Sequence, residues 1–219
     1  MSRVIMIVGN GEVPDGAAAT IDAADVVVRF NDCRSVGKGG NKTDIVAVCN
    51  TGRPALAMLG GGRWKTSKPV RQARAIWSVR SGAKFAAMRA KLAVTHPDLD
   101  DFCDDYTAGF ESFARATGRP HRVIPAGRQE GLERDLARFE PPPYVVPSSG
   151  LLVIADILSS FASDRDDVVL AGFGHSGWEW HPFATERRYV EALASEGRLR
   201  RLDQSSFSDL VPRSLNHVL

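Results

Sequence analysis

Five consecutive apolar residues, Val4-Ile5-Met6-Ile7-Val8, four of them β-branched, run without interruption into Gly9-Asn10-Gly11. A strand with one wet face alternates apolar and polar residues, whereas an unbroken apolar run is expected where both faces are covered, as in a parallel sheet between layers of helix. Residues 26–30, 45–49, 75–79 and 167–171 repeat the pattern, and Val123 with Ile124 marks a further short strand. Helical spacing is expected over 17–24, 84–93, 104–116, 132–139, 151–161 and 182–196. Three prolines, Pro141 to Pro143, stop the fourth of these, because proline lacks the N–H and disfavours helix in the residue before it. Strands alternating with helices predict an α/β fold, a Rossmann-like and mostly parallel sheet with helices on both faces. With 219 residues and no internal repeat or linker, the chain 1–219 is expected to form one domain.

Composition narrows the classes. Hydrophobic residues at 43% and charged residues at 25% exclude disorder. Twenty-eight basic residues against 26 acidic ones leave a net charge of +2, which gives no reason to expect a nucleic-acid partner. Cys33, Cys49 and Cys103 are odd in number, lack CxxC spacing and form no zinc set with the five histidines, so neither a disulfide framework nor a metal is expected. The first apolar run is too short for a signal peptide or a membrane span. A cytoplasmic protein without a membrane span is the expectation.

Three clusters carry candidate chemistry. Gly9-Asn10-Gly11 follows the first strand, where ligands of open parallel sheets sit and where amides of a glycine turn can face a phosphate. The spacing to Gly16 is not that of the dinucleotide fingerprint, and a turn kept for geometry alone is the competing reading. Arg29-Phe30-Asn31-Asp32 closes the second strand; Asn31 offers a donor and an acceptor to a ribose or phosphate, or else satisfies its own turn. Pro147-Ser148-Ser149-Gly150 leads into the apolar run from Leu151 and reads as a helix start suited to an anion, with one serine explicable as an N-cap.

Among the histidines, His96, His121 and His217 stand in polar contexts and read as surface residues. His175 and His181 lie in a stretch dense in glycine and aromatics, Gly172 to Pro182. Pro182 suits the first helical position, placing His181 just before a helix whose positive end favours the neutral imidazole. A neutral imidazole can serve as a general base, with Glu186 about one turn further on to orient it or to cap its neighbours. The competing reading is a capping histidine beside tryptophans that are core or lid.

In order, these segments resemble the sialyltransferases of glycosyltransferase family 29. The long motif of that family looks like Ile7-Val8-Gly9-Asn10-Gly11 with Ile21-Asp22, Val27-Val28-Arg29-Phe30-Asn31, Val36-Gly37 and Gly40-Asn41-Lys42-Thr43. Its short motif looks like Pro147-Ser148-Ser149-Gly150-Leu151 with Ala171-Gly172-Phe173-Gly174, and its final histidine and glutamate match His181 and Glu186. The cysteine pair joining the two motifs in secretory members is absent, and the aromatic motif is shortened to Trp178-Glu179-Trp180. The sequence is also similar to small bacterial proteins labelled urease operon accessory proteins, a label that describes gene neighbourhood rather than chemistry.

The resemblance implies a sialyltransferase-like, nucleotide-sugar-binding domain and a metal-independent inverting transferase. It implies a CMP-activated sugar such as CMP-sialic acid as donor, an unidentified hydroxyl acceptor, and no cofactor. It places Gly9, Asn10, Gly11, Asn31, Ser148, Ser149, Gly150, Gly172, Gly174 and His175 around the donor. His181 becomes the base, with Glu186 beside it. The alternative is a non-catalytic nucleotide-binding accessory protein of a urease operon, working with a protein partner that the sequence does not identify.

Overall fold

A computed structural model describes residues 2–202; His217 lies outside the described residues. The strands are β1 (Val4–Val8), β2 (Val26–Phe30), β3 (Ile45–Val48), β4 (Ala75–Ser78), β5 (His121–Val123), β6 (Asp167–Ala171) and β7 (Arg200–Arg201). They form one sheet in the order β5-β4-β3-β2-β1-β6-β7, and every neighbouring pair is parallel. The protein is thus α/β with the expected Rossmann-like layering. The chain winds outward from β1 to β5 on one side, then returns to build β6 and β7 on the other. The strand order therefore reverses between β1 and β6, where crossovers leave a crevice beyond the carboxyl ends of the strands.

Alternation along β1 distributes the core. Ile5 and Ile7 face the layer made by α7 (Ala126–Ala137), α8 (Ser149–Asp156) and α9 (Phe183–Ser195). Met6 and Val8 face α1 (Ala17–Ala23), and further along that side Val46, Val48 and Ile76 meet α2 (Gly52–Gly60), α3 (Arg63–Thr66), α4 (Lys68–Gln72) and α6 (Thr107–Ala116). Both faces being covered is why β1 reads as a continuous apolar run. Beyond the end of β4, α5 (Gly82–Thr95) contributes Phe85 and Leu92 to a smaller cluster with Cys103 and Val146.

Several expected elements differ in extent. The helix expected at 104–116 starts at Thr107, because Asp105 bridges to Thr51 in extended form and its carboxylate accepts from the Thr107 amide at 2.9 Å. The helix expected at 132–139 begins earlier, at Ala126, directly after Pro125. The long helix expected at 151–161 is α-helical only to Asp156 and widens to a π turn over Ile157–Phe161, closed by the Ala162 amide on the Ile157 carbonyl at 2.8 Å. Pro182 stands outside α9, which starts at Phe183. Arg200 and Arg201 form the edge strand β7 against Val169 and Leu170. His121 is half-buried on β5, with its Nε2 2.9 Å from the Ser78 hydroxyl, rather than free on the surface.

Candidate functional site

A cleft of about 730 Å³ opens at the carboxyl edge of the sheet. Its floor is made by the residues that directly follow β1, β2, β3, β4 and β6, its inner wall by the start of α8, and its rim by the loop 172–182. The sequence-expected residues Gly9, Asn10, Gly11, Asn31, Ser148, Ser149, Gly150, Gly172, Gly174, His175, His181 and Glu186 all line it. The individual tasks of these residues differ from expectation in several places.

The glycine turn is a packing device. The Gly9 amide donates to the Ala171 carbonyl at 2.8 Å and the Gly11 amide to the Gly172 carbonyl at 2.9 Å, so neither N–H is free for a phosphate. A Cβ on Gly9 would collide with the Gly172 carbonyl, and one on Gly11 would come within 2.8 Å of it. Gly172 itself has φ 69°, a conformation that favours glycine. Asn10 likewise holds backbone: its Nδ2 donates to the Phe30 carbonyl at 3.3 Å and its Oδ1 accepts from the Arg34 amide at 3.0 Å. Asn31, at φ 49°, accepts the Cys49 amide on Oδ1 at 2.8 Å, while its Nδ2 has no partner among the described residues. Of the two asparagines, Asn31 is the one whose side-chain nitrogen is wholly unpaired among the described residues.

Ser148 and Glu186 form a closed joint. The Ser148 amide donates to Glu186 Oε1 at 2.6 Å, and the Ser148 hydroxyl donates to Oε2 at 2.6 Å while accepting from the Leu151 amide at 3.2 Å. Ser148 is therefore the N-cap of α8, and Glu186 fixes that cap; no hydrogen bond joins Glu186 to His181 among the described residues. Of the two tasks expected of Glu186, the cap is the one its bonds serve, not the orientation of His181. Glu186 is fully buried, and burial pushes its carboxyl above the usual range despite the two bonds from Ser148 and the Arg80 charge. Ser149 and Gly150 follow in the first turn, and their amides and the Ser149 hydroxyl have no acceptor or donor among the described residues. Gly150 lies under Phe173, whose ring edge would be 2.7 Å from an added Cβ.

His181 lines the cleft and donates from Nδ1 to the Val146 carbonyl at 2.8 Å, an assignment that leaves Nε2 unprotonated. Burial is the main cause that pushes its pKa down to about 4, with the Arg80 charge adding to it and the Val146 bond opposing. The helix start, invoked from the sequence, is not the dominant influence. His175, at φ 48°, accepts a hydrogen bond from Arg201 Nη2 on Nε2 at 2.7 Å; burial and that cation push it down to about 4 as well. His175 thus borders the cleft with its Nε2 already occupied.

Sequence reading missed Arg80. It follows β4, lines the cleft and is only 2% exposed, and burial pushes its pKa down. Its Nη2 donates to the Pro147 carbonyl at 2.8 Å, one residue before the α8 cap. A charged residue directly after the apolar run 75–79 was the available signal. Cys49, at the end of β3, also lines the cleft and is a half-buried free thiol. At the mouth, Arg53 pairs with Asp101 at 2.8 Å. Among the described residues no His, Cys, Asp and Glu cluster is arranged to hold a metal ion, and no helix is long and apolar enough to cross a membrane.

The comparison with curated proteins decides the family. The "Urease operon 23 kDa accessory protein" of Rhizobium meliloti (strain 1021) is 80% identical over 208 residues, which are 95% of this chain and 96% of that protein. The chain belongs to that family. No protein-family model matches the chain. Among solved structures, the sialyltransferase CstII from Campylobacter jejuni, in complex with a substrate analogue, cytidine-5'-monophosphate, covers 99% of this chain and 88% of its own, with 12% identity and a TM-score of 0.48.

Proposed function

We propose that this protein is a metal-independent, glycosyltransferase-like protein that holds a CMP-activated sugar in the cleft, with His181 as general base. The observation that carries the reading is His181 itself: a neutral imidazole whose Nδ1 is committed to Val146, leaving Nε2 a lone pair in a residue that lines the same cleft as Asn31, Ser149 and Gly150. In the reaction, the acceptor hydroxyl gives its proton to Nε2 as its oxygen bonds to the anomeric carbon. The bond from that carbon to the phosphate oxygen breaks, and CMP leaves with the electron pair. Inversion follows from attack opposite the departing group. Free donors at the start of α8 stabilise the charge that builds on the leaving phosphate, and each such donor is typically worth about 3 kcal/mol.

A base pushed down to about 4 is unprotonated at neutral pH but weak. An anionic donor seated nearby raises it, so the base strengthens when the donor is bound. The test is direct. Millimolar CMP should raise the melting temperature while NAD does not, and the absence of any shift with cytidine nucleotides overturns the reading. His181→Ala should lower turnover on the order of a hundredfold or more while retaining CMP affinity.

The name of the Rhizobium meliloti relative favours a second reading, a nucleotide-binding accessory protein of a urease operon that works without catalysis. It predicts ligand binding without turnover, and an accessory activity indifferent to His181→Ala.

A further inference from the structure

Two arginines are buried beside strand ends among the described residues, and only one of them is satisfied. Arg29, after three apolar residues of β2, donates from Nε to the Lys42 carbonyl at 3.0 Å, from Nη1 to the Ser35 hydroxyl at 3.0 Å and from Nη2 to the Gly39 carbonyl at 2.6 Å. Every nitrogen of its guanidinium has a protein acceptor. Arg80 has one bond, from Nη2 to Pro147, and its Nε and Nη1 are buried without any partner. Leaving donors of a buried cation unpaired is costly, and native structures avoid it unless the group has another task.

The surroundings of Arg80 show where its missing acceptor belongs. Glu186, the carboxylate closest in function, has both oxygens committed to Ser148. The Phe85 ring covers one side of the guanidinium, its centroid 5.6 Å away. Its other neighbour is the Cys49 thiol, a weak acceptor that lines the cleft with it, and the amides of Ser149 and Gly150 open the first turn of α8 on the same cleft without acceptors among the described residues. Arg80 from the end of β4 and the first turn of α8, each carrying unpartnered donors, therefore line one cleft. A carboxylate has two oxygens for such a set; a phosphate ester has enough acceptors for both groups of donors.

We propose that Arg80 is the anchor for a phosphate ester in this cleft and sets its preference for a phosphorylated ligand over the unphosphorylated nucleoside. The inference rests on the nucleotide reading of the cleft, but it adds a residue outside every motif that suggested that reading. Arg80 also ties the Pro147 carbonyl, so the same side chain that meets the ligand holds the corner where α8 begins.

The experiment compares CMP with cytidine by calorimetry on the full chain. The wild-type protein should prefer CMP by roughly ten- to a hundredfold, the range expected for hydrogen bonds to charged groups. Arg80→Gln should bring the ratio down to within about threefold of unity, whereas a ratio equal to that of the wild type overturns the proposal. If Arg80→Gln fails to fold, Arg80→Lys decides: it keeps the charge without the planar fork, so a reduced ratio supports the proposal and an unchanged one overturns it. Should the wild type bind neither cytidine nor CMP, the nucleotide reading fails and inorganic phosphate becomes the probe. A phosphate-dependent rise in melting temperature that the Arg80→Lys variant loses then supports the anchor; an equal rise in both proteins, or none in the wild type, overturns it.

Discussion

Gly9 and Gly150 look alike in the sequence, each a small residue beside a candidate ligand, but they answer to different neighbours. A methyl on Gly9 meets the Gly172 carbonyl, part of a backbone pinned by the Gly11 amide and by its own positive φ, so neither partner can retreat. A methyl on Gly150 meets the edge of the Phe173 ring, a side chain that can turn. Gly9→Ala should therefore cost about 3 kcal/mol or more in urea unfolding and Gly150→Ala about 1 kcal/mol. Equal losses would show that the β1–β6 junction can slide apart. The same contrast explains what could be read beforehand. A glycine turn after an apolar strand marks the site, because turn chemistry is local. That the Gly9 and Gly11 amides are tied to Ala171 and Gly172 depends on a strand far along the chain, and nothing near Gly9 encodes it. Asn10 was legible as a site residue for the same reason, while its work as a staple between Phe30 and Arg34 was not.

The loop 172–182 is held down by rings. Trp178 stacks on Phe102 at 5.2 Å and 26°, Trp180 meets His96 edge-on at 4.4 Å, and Trp178 meets His181 edge-on at 4.9 Å. The Trp180 carbonyl accepts from the Val145 amide at 3.0 Å, joining the loop to the segment that precedes the α8 cap. Aromatic pairs of this kind are worth roughly 0.5 to 1.5 kcal/mol each beyond the area they bury, enough to keep a glycine-rich loop closed without fixing it permanently. Trp178 shields His181, so Trp178→Ala should let water reach the imidazole and raise its pKa from about 4 by about one unit or more. An NMR titration of His181 reads this directly; an unmoved pKa would assign the burial to Phe183 and Val146 instead. The glycines and aromatics of this loop drew notice in the sequence. Their partners did not show as such: Phe102 drew no notice and His96 read as a surface residue, since both sit in a polar stretch between α5 and α6 whose apolar residues show no period. The π turn after α8 was hidden for a related reason: an apolar run has the same composition whether its hydrogen bonds close over four residues or five.

At the scale of the whole molecule, the order of the strands brings the functional groups together, and hydrophobic runs disclose the strands but not their order. The sheet was legible from its apolar runs; β7 was not, because Arg200 and Arg201 carry no strand signature and pair only where Leu170 offers a free edge. Folding also half-buries His175 and His181 in the lining of the cleft, and that has a consequence for stability. Both are pushed from 6.5 down to about 4, so between these values the unfolded chain holds protons that the folded chain does not. Their contribution is complete above pH 6.5 and is lost as the pH falls through 4. Glu186 works in the other sense: its raised carboxyl favours the folded state below its ordinary value of 4.5 and loses that contribution as the pH rises through the raised one. His121, pushed down by burial, adds to the histidine trend. Unfolding near pH 5 should accordingly take up protons, and urea midpoints should fall as the pH drops from 6.5 to 4. In a protein with both His175→Asn and His181→Asn, the uptake should shrink by up to about two protons, leaving His121 to give a shallower slope partly offset by Glu186. An identical slope in the two proteins would mean that these imidazoles are as open to water folded as unfolded, and the cleft would then lack the dry wall on which a neutral base depends.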